Sequence, residues 1–162
     1  MTADTITHEA RSHHLQAVRQ RLISNAPLYN FLLSPSTIVR SSAGEVVLHL
    51  PLDACHVNSR GTVHGAVSSA IVDFSTGLAI ASHDLRDTTG ASVDMHVSYL
   101  GTAKVGDTLE IVATAEKVGG SMAFTNCKIN RIDGDDRVPV SMGRHTKFVK
   151  IGQKKPEEKN QG

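Results

Sequence analysis

The sequence predicts an α+β fold in which an antiparallel sheet of about six strands curls around one long central helix. Three observations predict it. Residues 64–82 are small and apolar nearly all round, which marks a buried helix. Four strand-like stretches with tight turns follow that helix, and two precede it. Strands therefore run consecutively instead of alternating with helices, which favours an antiparallel sheet over βαβ units.

Taken in order, Leu15, Val18, Leu22 and Ile23 recur at helical spacing among Arg, Gln and His, so residues 6–23 form an amphipathic helix. His8, His13 and His14 do not set two metal ligands one turn apart on a face, and they read as the helix's polar side. Residues 36–39 and 45–50 form two strands joined by the turn Ser41-Ser42-Ala43-Gly44. The second, "EVVLHLPL", is rich in β-branched residues and stops at a proline. An irregular segment, 53–63, leads into the apolar helix. "ASVDMHVSYL" then alternates Val93, Met95, Val97 and Tyr99 on one face. "DTLEIVATAEKV" turns at Gly119-Gly120 into "SMAFTNCKINRI". Asp133-Gly134-Asp135-Asp136 turns again into "RVPVSMGRHTKFVKI". That acidic turn lacks the calcium-loop pattern.

The 162 residues fit one compact domain. Residues 1–27 read as an N-terminal amphipathic helix and arm, 28–151 as the main domain, and 152–162 as a flexible tail. Seventeen basic and 16 acidic residues are interspersed, and Trp is absent. That balance offers nothing for nucleic acid or an anionic membrane surface to hold. Residues 66–81 read as too short and polar to span a membrane, so no membrane insertion is expected. Cys55 and Cys127 lack metal-ligand spacing and read as free thiols in a reducing compartment. The N-terminal stretch "MTADTITHEARSHH" has no secretory apolar run. A cytoplasmic or mitochondrial location is expected, the mitochondrial one kept open by Arg11, Arg19 and Arg21.

Asp73 stands out because it interrupts the apolar helix, with no Lys or Arg three or four residues away. Burying a lone carboxylate costs several kcal/mol unless it is paired or reached by water. It is either a local cap or a group satisfied by Ser69, Ser75 or Thr76, or it faces a wet cleft as a base or nucleophile. At the other end of the helix, "RGTVHGA" places Gly61 and Gly65 around the first turn. Unpaired N–H groups there suit a carbonyl oxygen becoming an oxyanion. From His64 to Asp73 is roughly 13 Å along the axis, so one substrate carbonyl cannot touch both ends of one helix. If both ends act on one bond, the second comes from another copy across a two-fold axis, and a homodimer or dimer of dimers is expected.

The motif order is "N-x5-HG" before the helix, Asp nine residues after the His, then "SVDMHVSYL", "GDTLEIVA" and "GRHTKF". This order resembles the hotdog-fold acyl-CoA thioesterases, nearest the PaaI-like, phenylacetate-pathway group. The resemblance covers about residues 30 to 150. It implies hydrolysis of an acyl-CoA thioester to free acid and coenzyme A, with no metal and no cofactor. It further implies that Gly65 donates its N–H to the thioester carbonyl, with Asn58 as a second donor and His64 holding the loop. Asp73 of the other subunit would activate water or attack directly, and Ser92 would help position the water. Asp94, Tyr99, Lys117, Gly119, Gly120, Ser121, Arg144 and Lys147 would contact the coenzyme A part.

The sequence departs from the group's pattern in three places. Ala66 replaces the second glycine of "HGG", the loop from His83 to Gly90 is a residue longer, and Phe148 replaces a polar ring. A non-catalytic acyl-CoA binding module and a dehydratase of the same fold are the competing readings. The carboxylate and its spacing from "HG" favour hydrolysis.

Overall fold

The computed structural model describes residues 7–150. The segment expected to be a flexible tail, and Ile6 at the start of the expected first helix, lie outside the described residues. Helix α1 (His8–Asn25) begins after Thr7, whose hydroxyl accepts the Ala10 N–H at 3.2 Å. It buries Leu15 and Val18 completely in the central cluster. A second short helix, α2 (Pro27–Leu33), follows at once. It was not expected, although Pro27 at its first turn is a start signal.

Strands β1 (Thr37–Ser42) and β2 (Glu45–Pro51) form a hairpin. The turn is tighter than the four-residue loop read from sequence. Gly44 takes a φ of +78°, which closes the turn in two residues and lets Ser41 and Ser42 pair. A single 3₁₀ turn (Ala54–His56) precedes helix α3 (Gly65–Asp84). Strands β3 (Ala91–Tyr99), β4 (Thr108–Val118), β5 (Met122–Asp133) and β6 (Asp136–Phe148) complete the sheet. All neighbours pair antiparallel in the order β1-β2-β4-β5-β6-β3. The α+β expectation of six strands around one helix is the observed architecture.

At 20 residues α3 is long and apolar enough to cross a membrane by length and composition, contrary to the sequence reading. Its position explains the composition differently: Ile71, Val72, Phe74, Leu78 and Ile80 are buried inside the curled sheet. Closeness to β6 is secured at Gly143, where a Cβ would stand 2.7 Å from a Val72 methyl. The sheet's last strand, β3, lies at an edge and carries the exposed side chains Val93, Met95 and Tyr99.

Simple alternation fails along β3. Ser92 pairs with Lys147 and Asp94 with Thr146, so Val93 is bulged out of register. Ser92 thereby shares the helix-facing side with Met95, Val97 and Tyr99, and Val93 does not belong to that row.

Candidate active site

Asp73 lies near the middle of α3 with its side chain one-third exposed, and its partners come from three other elements. From β6, Lys147 Nζ donates to Oδ1 at 2.8 Å. From α2, the Tyr29 hydroxyl donates to Oδ2 at 2.6 Å. From β3, Ser92 Oγ stands 3.3 Å from Oδ1. The local satisfiers weighed from sequence are occupied elsewhere: Ser75 and Thr76 donate to the α3 carbonyls of Ile71 and Val72, and Ser69 to that of Gly65. Burial pushes the Asp73 carboxyl up. Hydrogen bonds from Lys147 and Tyr29, and the Lys147 charge, outweigh burial and hold it below its ordinary value. It is therefore ionised at neutral pH.

His145, also on β6, completes the cluster. Thr76 Oγ1 spends its proton on the Val72 carbonyl at 2.7 Å, so it accepts from His145 Nδ1 at 2.8 Å. The ring proton therefore lies on Nδ1, which leaves Nε2 as an acceptor, 2.9 Å from Ser92 Oγ. Ser92 thus has one proton for two acceptors, His145 Nε2 and Asp73 Oδ1. Burial and then the Lys147 charge push His145 below the ordinary imidazole value, so the ring is neutral at neutral pH.

Lys147 requires a correction. It was expected among the coenzyme A contacts on an outer strand, but it is 4% exposed and tied to Asp73. The reason is the pleat: residues 143, 145 and 147 face α3, while 142, 144 and 146 face away. The same alternation, applied to "GRHTK", was the available signal for His145 and Lys147. Tyr29 had none once α2 was missed.

The N-terminal end of α3 is built by its own loop. His64 caps the helix, its Nδ1 accepting the Ala66 N–H at 3.0 Å, and its backbone N–H donates to the His56 carbonyl at 2.8 Å. The Gly65 N–H has no hydrogen-bond partner among the described residues, while Ala66, Val67 and Ser68 all bond back to His64. The Tyr99 ring rests against Gly65, where a Cβ would meet it at 3.2 Å. Tyr99 is therefore beside the free amide and not out along the sheet. Asn58 turns into its own loop: Oδ1 accepts the Arg60 N–H at 2.9 Å, and Nδ2 donates to Thr62 Oγ1 at 3.1 Å. A role as second donor must use the remaining Nδ2 proton.

Buried His56 joins the two halves of this region. Its Nδ1 accepts from the Asp53 amide at 2.8 Å, so Nε2–H donates to the Leu32 carbonyl of α2 at 2.7 Å. The remaining expected contacts do not converge. Lys117 and the turn Gly119-Gly120-Ser121 lie at the Asp73 end, where Ser121 accepts the Val149 N–H and the adjoining Ala123 pairs with Lys147. Asp94 and Arg144 are exposed on the face away from α3, and Arg144 lines a groove there of about 370 Å³ with Glu116, Lys128 and Met142.

Residues 60–138 match the family model of the thioesterase superfamily. Acyl-coenzyme A thioesterase 13 of Homo sapiens is 31% identical over 137 residues, which cover 83% of this chain and 95% of that protein. The chain belongs to the thioesterase superfamily. Thioesterase superfamily member 2 of zebra fish shares the fold with a TM-score of 0.73 and 27% identity, covering 90% of this chain and 99% of that one. The PaaI protein of E. coli, at 19% identity, shows the same fold with a TM-score of 0.69, over 87% of this chain and 96% of that one. The hotdog resemblance read from the motifs is therefore the family of the chain.

Proposed function

We propose that this thioesterase-superfamily member hydrolyses acyl-CoA thioesters, in a site completed by two copies of the chain. The observation that carries the reading is the pairing of two functional ends on one helix. A free Gly65 amide opens α3, and an ionised, partly exposed Asp73 follows eight residues later, about 12 Å along the axis. An antiparallel second copy would bring its Asp73 to the first copy's Gly65. The exposed apolar residues of edge strand β3 and its unpaired backbone edge supply a surface for that pairing.

In this scheme the thioester carbonyl oxygen accepts the Gly65 N–H, with the α3 N-terminus stabilising the charge that develops on it. Asp73 of the partner subunit takes a proton from water as the water oxygen attacks the carbonyl carbon. The tetrahedral intermediate then collapses, the C–S bond breaks, coenzyme A leaves as thiolate, and the proton held by Asp73 passes to that thiolate or to solvent, restoring the carboxylate. Ser92, beside Oδ1, helps position the water through the carboxylate it faces. The acyl-CoA class rests on the name of the human relative; Lys117, Gly119, Gly120, Ser121, Asp94 and Arg144 remain proposed coenzyme A contacts.

Asp73→Ala is expected to cut turnover on an acyl-CoA panel, followed by a thiol reagent, about a hundred- to ten-thousand-fold. An unchanged rate in a folded variant would remove Asp73 from the chemistry.

A further inference from the structure

Tyr29 belongs to no motif, yet it makes the shortest contact to the proposed base. Its hydroxyl reaches Asp73 Oδ2 at 2.6 Å across a sequence separation of 44 residues. An ionised carboxylate has about four acceptor positions, two on each oxygen. Lys147 donates to Oδ1, which Ser92 Oγ also crowds at 3.3 Å, and Tyr29 donates to Oδ2, so the uncrowded acceptor position for a water is the second one on Oδ2, beside the phenol.

The phenol is held on several sides. Its ring packs edge-on against Phe74 with centroids 5.1 Å apart and planes at 67°. Pro27 starts the helix that carries it, Leu32 and Leu33 bury the helix's end, and His56 Nε2 pins the Leu32 carbonyl. We infer that Tyr29 is a positioning residue that fixes the Asp73 carboxylate, leaving one defined acceptor position on Oδ2 for the attacking water. The inference rests on Asp73 being the base proposed above.

Burial, and then the Asp73 contact, drive the Tyr29 hydroxyl well above the ordinary phenol value, so it stays a donor throughout the working pH range. The titratable groups that face the carboxylate are Tyr29 from α2 with Lys147 and His145 from β6; Asp94 on β3 acts on His145. Tyr29→Phe keeps the ring and removes one donor to the charged form. The acid limb of kcat then moves to higher pH, and Lys147 and His145 remain in place.

The test compares wild type, Tyr29→Phe and Asp73→Asn on one acyl-CoA, over a range of pH. Tyr29→Phe is expected to lower kcat on the order of tenfold with KM retained, and to shift the acid limb upward. A wild-type kcat and limb in Tyr29→Phe, with Asp73→Asn inactive, overturns the Tyr29 role alone. Full activity in Asp73→Asn overturns the base assignment and this role with it. The contact is also read without altering Tyr29. The chain has two tyrosines and no tryptophan, so tyrosinate absorbance is clean. A late-ionising phenol in wild type should ionise earlier in Asp73→Asn; identical titrations would overturn the contact.

Discussion

Buried His145 and Lys147 and partly exposed Asp73 form a polar cluster whose protonation links folding to pH. In the fold, Asp73 lies below its ordinary value of 3.8 because hydrogen bonds from Lys147 and Tyr29 outweigh burial, and burial puts His145 below 6.5. Both groups therefore bind protons more readily in the unfolded chain. Their contribution to stability is fully present above the ordinary values and is lost as pH falls toward the folded ones. The melting temperature is expected to fall as pH drops below about 6.5 and to fall again below about 3.8. In a His145→Gln variant the first fall is expected to shrink; an unchanged profile in that variant would contradict the assignment. Asp73 was visible in the sequence as an anomaly, a carboxylate without a local partner. Its actual partners were not, because Lys147 lies 74 residues away and Tyr29 lies 44. No periodicity joins positions that only tertiary packing brings together.

At the scale of elements, α3 and β6 form the frame that fixes the cluster. Their spacing depends on Gly143, because a methyl there would fall 2.7 Å from Val72, which is buried and β-branched. Gly143→Ala is expected to cost about 1–3 kcal/mol in denaturant unfolding. A loss below about 0.5 kcal/mol would show that the two elements can part freely. The helical spacing of a few apolar residues made α1 legible, the nearly all-round apolar run made α3 legible, and β-type stretches bounded by turn residues did the same for β4 to β6. Helix α2 was missed because seven residues offer too few turns for a pattern, even with Pro27 in place. The bulge at Val93 was hidden for another reason. Strict alternation turns Ser92 away from α3, and only the extra residue returns it to the side of Asp73.

For the whole molecule, the two chemical ends of α3 are too far apart to serve one bond. In the proposed reaction the site is therefore shared between copies of the chain. The most direct test mixes two inactive variants. Gly65→Pro removes the N–H at a helix position that tolerates proline, and His64 already has the extended ψ of 137° that a following proline favours. Asp73→Ala removes the carboxylate from the opposite end. After unfolding and refolding together in equal amounts, about half of the dimers are mixed, and each mixed dimer holds one intact site. Thiol release from an acyl-CoA is expected to return to about a quarter of the wild-type rate per chain. A mixture as inactive as its parents, with subunit exchange verified, would contradict a site shared between two copies.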